Sequence, residues 1–252
     1  MRKKYTGILT VIFLLAGLET NAQSNIRDSS IAMHIVSIGY TIQLPAGDLA
    51  DRFGFNSMVG GSYSYKLKNK WVLSLNGGFI FGDQIKEDSI LNNLANEDGL
   101  ILGNDGNFAT INLYERGFHF SLTAGKLFSF RKPNPNTGIL IQAGPSFLQH
   151  KIRIETSDGV PQLNSEYKKG YDRLTNGMGL NESVTYVYFG NKYLINFYFG
   201  FDFIQSFTKN RRDYNFDTMS KDDKNRVDLL FGFKAGWMLP LYRKAPQKFY
   251  YY

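Results

Sequence analysis

The chain reads as all-β, an eight-stranded antiparallel up-and-down transmembrane β-barrel, on three observations. Eight segments alternate apolar and polar residues with period two. The connections between them alternate short and long. Beyond the N-terminal leader, no stretch is long and apolar enough to cross a bilayer as a helix. A passage through hydrocarbon is then left to strands that close on themselves, because only helices and closed barrels pair every backbone polar group there.

The first alternation starts at His34 and sets Val36, Ile38, Tyr40, Ile42 and Leu44 against Ser37, Gly39, Thr41 and Gln43. The second sets Val59, Tyr63, Tyr65 and Leu67 against Gly60, Ser62, Ser64 and Lys66, and a turn at Lys68–Lys70 leads into the third, Trp71 to Phe81. A fourth sets Phe118, Phe120, Leu122 and Phe128 against Glu115, Gly117, His119, Ser121 and Thr123. The fifth runs from Ile139 to about Ile154, and its apolar parity changes after Phe147. That change predicts either a bulge near Pro145 or a strand rising out of the membrane band. The sixth, Glu182 to Phe189, is the weakest. The seventh, from Tyr193 through Phe203, is the clearest, and the eighth spans Val227 to Leu239. Strands of about nine to sixteen residues exceed the mean of about five or six in soluble sheets. They suffice for a tilted crossing of roughly nine to eleven.

Short connections fall near Lys70, Pro133 and Asn191. Long ones span Pro45 to Asn56, Gly82 to about Ile111, Glu155 to Leu180, and Thr208 to Asn225. This asymmetry, short turns at one end and long loops at the other, is that of outer-membrane barrels. It predicts both chain ends on the periplasmic side. A soluble barrel would show the same alternation with its faces reversed. Two features favour the membrane form: the polar face is rich in small Gly, Ser and Thr, and Trp71, Tyr65, Tyr193 and Trp237 stand at strand ends where interfacial aromatics belong.

Residues 1–22 read as a signal peptide and 23–252 as the barrel domain. Arg2, Lys3 and Lys4 precede the apolar run Gly7 to Leu18, and Thr20 and Ala22 supply a small-x-small cleavage site. Removal takes away three cations and Glu19, so the formal charge falls from +7 to +5. The remaining cations are scattered through turns and loops, which argues against nucleic acid as a partner. The absence of Cys excludes a disulfide framework, a thiolate metal site and a lipidated cysteine.

The whole mature chain resembles the small outer-membrane β-barrel proteins of Bacteroidota-type bacteria, similar in plan to the OmpA/OmpX type. The resemblance rests on the cleavage region Asn21-Ala22-Gln23, the stretch Leu44 to Gly54 and the final strand. It implies outer-membrane location, contact with outer-membrane lipid and insertion by the barrel-assembly machinery. Lys234, Gly236, Leu239 and Leu241 resemble the C-terminal signal that this machinery reads. The chain departs from the pattern by continuing to Tyr252, so the signal could instead lie in Phe249 to Tyr252.

Inward polar faces would place Lys66, Glu115, Asp202, Asp228 and Lys234 in the lumen, with Lys151 and Arg153 near its loop end. An eight-stranded barrel is filled by its own side chains, so these charges are expected to neutralise one another rather than line a pathway. The only grouping that could serve acyl transfer is His119 and Ser121 with Glu115. Two-residue spacing of such common residues is weak, and no catalytic, cofactor or metal site is assigned. The acidic loop 82–111 and the basic, aromatic loop 155–180 are the candidate contacts for envelope partners, unless they pair with each other over the barrel mouth. The sequence thus predicts a non-enzymatic structural or interaction protein, with a narrow solute pore and a lipid-modifying enzyme as alternatives.

Overall fold

A computed structural model describes residues 29–130, 134–156, 159–190 and 195–242. The expected leader 1–22, the aromatic Tyr193 and the tail after Tyr242 lie outside these residues. The strands are β1 (Met33–Gly47), β2 (Asn56–Lys66), β3 (Trp71–Gly82), β4 (Ile111–Ser129), β5 (Gly138–Thr156), β6 (Thr175–Phe189), β7 (Asn196–Asn210) and β8 (Asn225–Leu241). Each pairs antiparallel with the next, and β1 pairs with β8 to close the barrel. Among the described residues no helix is long and apolar enough to cross a membrane.

Closure decides the direction of each face. The apolar parity points outward: Ile38, Leu75, Phe120 and Phe201 are 60%, 59%, 53% and 69% exposed. The alternate residues Thr41, Ser74, Thr123 and Thr185 are buried inside. A soluble barrel could not leave so continuous an apolar belt in water, and the fold is a transmembrane barrel. Trp71, Tyr65 and Trp237 project outward near the turn end of the belt, where amphipathic rings favour the water–lipid boundary.

Strands extend further than their alternation announced. β6 begins at Thr175 rather than Glu182, because Asn176, Gly177 and Gly179 pair with Lys209, Thr208 and Ser206. Gly177 and Gly179 are required there: a Cβ would lie 1.8 and 1.9 Å from the carbonyl oxygens of Phe207 and Gln205. The third long loop consequently starts after Thr156 and ends at Leu174. β4 and β5 form the longest hairpin, 19 residues in each strand. At about 3.4 Å per residue and a tilt near 45° it reaches well past a hydrocarbon core of about 30 Å.

β5 carries no bulge at Pro145. Its ladder with β4 skips Pro145 and Gly144 but resumes in the same register, Ser121 facing Ser146 and Ala124 facing Ala143. The parity change has another cause: above Phe147 the lumen itself becomes apolar, and Leu148, Ile152 and Ile154 point inward. Lys151 and Arg153 therefore point outward, with side chains 44% and 56% exposed. Their expected place in the lumen is corrected by the same parity.

Candidate functional site

Three layers fill the barrel from one end to the other. At the turn end, Ile31, Met33, Ile35, Val72, Leu127, Leu140, Val187, Phe189 and Met238 form an apolar plug. Lys66 sits beside it, and its Nζ donates to Ser30 Oγ, Ile31 O and Asn136 Oδ1 at 3.1, 2.9 and 2.9 Å. Three oxygen acceptors satisfy an ammonium without a carboxylate. They also hold the segment preceding β1 in the barrel mouth.

Above the plug lies a chamber of about 110 Å3 whose walls include Ser37, Ser62, Asn76, His119 and Asp202 and, toward the turn end, the plug residues Ile35, Val72, Leu140 and Met238. That volume is large enough for several waters, which the polar side chains on its walls would bond. Lys234 Nζ bonds Asp202 Oδ1 at 2.7 Å. Tyr198 enters the chamber over Gly39 and Gly236, where a Cβ would come within 2.1 and 2.7 Å of its ring or hydroxyl.

The third layer is a second apolar plug at the loop end. Leu148, Ile152, Ile80, Ile204 and Leu230 from the strands meet Leu49, Phe53, Ile90 and Leu163 from the loops. Two polar groups are embedded at its edge. His150 Nε2 lies 2.9 Å from Asp228 Oδ2, which also accepts from the Thr208 hydroxyl. Glu115 accepts from Asn56 Nδ2 at 2.8 Å.

The five expected lumen charges thus occupy three levels. Asp202 and Lys234 meet in the chamber. Glu115 and Asp228 belong to the loop end, and Lys66 to the turn end. They do not form one network, because positions on different strands share a level only where the register brings them together. His119, Ser121 and Glu115 share the inward face of β4, but no hydrogen bond links Ser121 to His119. Ser121 Oγ donates to Asn181 Oδ1 and accepts from Asn76 Nδ2, both at 3.0 Å. His119 Nε2 is buried with no protein partner among the described residues.

Over the upper plug the four long loops are tied by charge. Arg52, from the first loop, donates Nη1 to Thr175 Oγ1 at 2.9 Å. Its Nε lies 3.1 Å from Glu87 Oε1, and Nη2 lies 3.6 Å from Asp222 Oδ2. Arg173 also bonds Glu87, at 3.0 Å, and reaches Asp217. Arg212 grips both oxygens of Asp172. Arg226 bonds Asp222 at 2.6 Å. Burial pushes the Arg52 guanidinium below its ordinary range, with the Glu87 carboxylate working in the opposite direction. Burial works to raise the Asp222 carboxyl, but the bonds from Arg226 and the Lys224 N–H together hold it below its usual value. The expected pairing of loops two and three is present as Glu87–Arg173. Arg52, Asp172 and Arg212 carried no local sequence signal, since their partners are distant in the chain.

No protein-family model matches the sequence, and no curated protein matches it. Solved structures do match. The chain is similar to Ail, the attachment invasion locus protein of Yersinia pestis, at 12% identity over 83% of this chain and 99% of that one, with a TM-score of 0.33. It is similar to the outer membrane protein OprG of Pseudomonas aeruginosa at 10% identity over 86% and 99%, with a TM-score of 0.37. Outer Membrane Protein W of E. coli matches at 13% over 82% and 98%, with a TM-score of 0.30. No residue role is carried over at these identities.

Polar residues interrupt the outward apolar parity at Lys126, Glu182 and Gln205. Glu182 is exposed between Leu180 and Val184, each 48% exposed, and its ladder neighbours are Ala143 and Phe203. A charged side chain facing lipid is destabilising, less for Glu than the 2–4 kcal/mol of a midplane Arg or Lys. Glu182→Leu is expected to raise barrel stability by about 1–2 kcal/mol. Reversible urea unfolding in phospholipid vesicles measures this, and a loss of stability would show that Glu182 has a polar partner in the membrane.

Proposed function

We propose that the protein is a non-enzymatic outer-membrane component that presents a rigid external platform to other parts of the envelope. The observation that carries this reading is the ion-paired cap, in which all four long loops are locked over a plugged lumen. A cap built from paired, buried charges keeps its shape, and a fixed shape is what a binding surface requires. Its outer side exposes Leu100, Leu102 and Phe108 on the second loop, and Tyr167, Tyr214 and Met219 on the third and fourth. Exposed aromatic and apolar side chains on a rigid frame are the raw material of contact hot spots.

Outer-membrane placement is supported by the outward apolar belt, the short-turn and long-loop asymmetry and the N-terminal leader. β8 is the strand we expect the barrel-assembly machinery to engage, with Lys234 and Gly236 on its inward face and Leu239 and Leu241 on its outward one. Heat-modifiable mobility of the protein from the outer-membrane fraction tests the placement. Recovery as a periplasmic protein without a shift would refute it.

The platform reading is tested by deleting the hairpin tip 96–109, which leaves every strand intact. Loss of co-purification with a larger envelope complex, with heat-modifiability retained, is the expected result. Unchanged co-purification would remove these residues from the contact. The deletion avoids Thr175–Leu180, which belong to β6.

Two apolar plugs make conduction the less favoured alternative. The purified protein is expected to be silent in planar bilayers. Discrete ion-conducting steps would overturn that expectation and favour the pore. The lipid-modifying alternative would need His119 to bond Ser121 in a chamber that opens to lipid.

A further inference from the structure

The outward parity that carries Phe118, Phe120 and Phe147 through the belt continues upward into cations. On β4 the next outward residues toward the loop end are Arg116 and Tyr114. On β5 they are Gln149, Lys151 and Arg153. Register places Arg116 opposite Lys151 and Tyr114 opposite Arg153. Further around the wall, Gln149 faces Asn176, and Asn176 faces Lys209. Arg211 Nε bonds Asn176 Oδ1 at 2.7 Å. The row is confined to one sector: at the same end of β1, β2 and β3 the outward residues are Leu44, Ser57 and Phe81.

These cations have capacity to spare. Arg116 stands over the Tyr114 ring at 5.0 Å and, among the described residues, donates only to the Glu115 carbonyl, at 2.7 Å. Lys151 lies 3.9 Å from Asp172 Oδ2, a carboxylate that Arg212 already holds through two nitrogens. Among the described residues the other acids near the group are Glu155, 2.7 Å from Arg153, Asp223, 3.8 Å from Lys209 and 3.4 Å from Lys221, and Asp213 and Glu166 beside Arg212. Positive charge therefore exceeds negative at the level where the apolar belt stops, and lipid headgroups meet a barrel at that level.

We propose that Arg116, Lys151 and Arg153 bind the phosphate of a membrane lipid in the leaflet on the loop side. A guanidinium offers a forked pair of donors that fits phosphate, and the adjacent ammonium adds a mobile point charge. Phe118, Phe120 and Phe147 directly below would receive the acyl chains. The occupant is argued from depth as well as charge: a phosphate held here has its chains already in the belt. The inference rests on the membrane barrel and not on the platform reading, and neither test decides the other.

Binding is measured on the full-length folded barrel in zwitterionic nanodiscs, with fluorescent bis-phosphorylated lipid A as probe and its dephosphorylated form as comparison. Wild type is expected to prefer the phosphorylated probe at least tenfold. R116Q/K151Q/R153Q is expected to lose that preference and keep its heat-modifiable mobility. K168Q/K169Q/K221Q removes three cations from the cap surface and is expected to keep it. Equal binding of the two probes by wild type would overturn the proposal, as would an unaffected triple variant or a preference lost equally in both variants. If millimolar inorganic phosphate abolishes the preference, the site takes free phosphate and the lipid assignment fails.

Discussion

Arg52→Ala is expected to unlock the loop cap while leaving the strand ladder closed. The guanidinium is buried and touches three loops or strand ends at once, through Glu87, Thr175 and Asp222. Its removal leaves the Glu87 and Asp222 carboxylates short of a partner in a low-dielectric setting. Glu87 keeps Arg173 and Asp222 keeps Arg226, so the cost stays below the about 3–5 kcal/mol of stranding a buried charge. Strand pairing does not pass through Arg52, so the loss should be local. Protease added to the folded variant should cut residues 83–110 and 211–224 at least tenfold faster than in wild type, while heat-modifiability persists. Unchanged cleavage would mean that the plug alone holds the cap. Arg52→Lys should recover only part of the protection, because an ammonium cannot serve three acceptors spread around a planar fork.

The same cap should loosen in acid. Asp222 and Asp48 are both held below the ordinary carboxylate value, Asp222 by Arg226 and the Lys224 N–H against the opposing effect of burial, Asp48 by the Val227 N–H and Lys224. A carboxyl depressed in the folded state contributes stability that is complete above the unfolded value, near 4, and is lost as pH falls through the folded value. Protection from an acid-tolerant protease should therefore hold from neutrality to about pH 5 and fall below about pH 4. A decline centred near neutrality would point to another group.

Leu148→Ala should lower global stability by about 2–5 kcal/mol, the range for emptying a close-packed aliphatic site. Leu148 is fully buried in the upper plug among Ile152, Ile204 and the loop residues Leu49 and Phe53. Unlike the outward leucines, it is surrounded by protein, so truncation leaves a cavity that lipid cannot fill. A matched truncation on the belt, Leu75→Ala, should cost less because lipid replaces the lost contacts. Urea midpoints in the same vesicles compare the two, and equal shifts would contradict a dry plug at Leu148. Leu148→Ala should also stay electrically silent, since the plug at the turn end remains.

The alternation in β1, β3, β4, β7 and β8 was readable because each keeps one face mainly apolar through the membrane band. The upper part of β5 was not, because Leu148 and Ile152 face a plug to which the loops contribute more than half of the buried residues. The start of β6 was hidden by Asn176, Gly177 and Gly179, which look like loop residues but pair with β7. Arg116 and Glu182 both stand on apolar parities, so their outward direction could have been inferred from alternation alone. Nothing local marks Arg52, whose partners Glu87, Thr175 and Asp222 lie 35, 123 and 170 positions away by subtraction of their numbers.

Period-two patterning by itself determined the strand number, the antiparallel order and which residues share a face, since all three follow from neighbours along the chain. It could not say what each face meets. Tertiary structure decided that the apolar face meets lipid, that the lumen is stoppered at both ends, and that the loops form one ion-paired cap. The physical reason is separation in sequence: ring closure joins β1 to β8, and the plugs and cap join residues that only closure brings near.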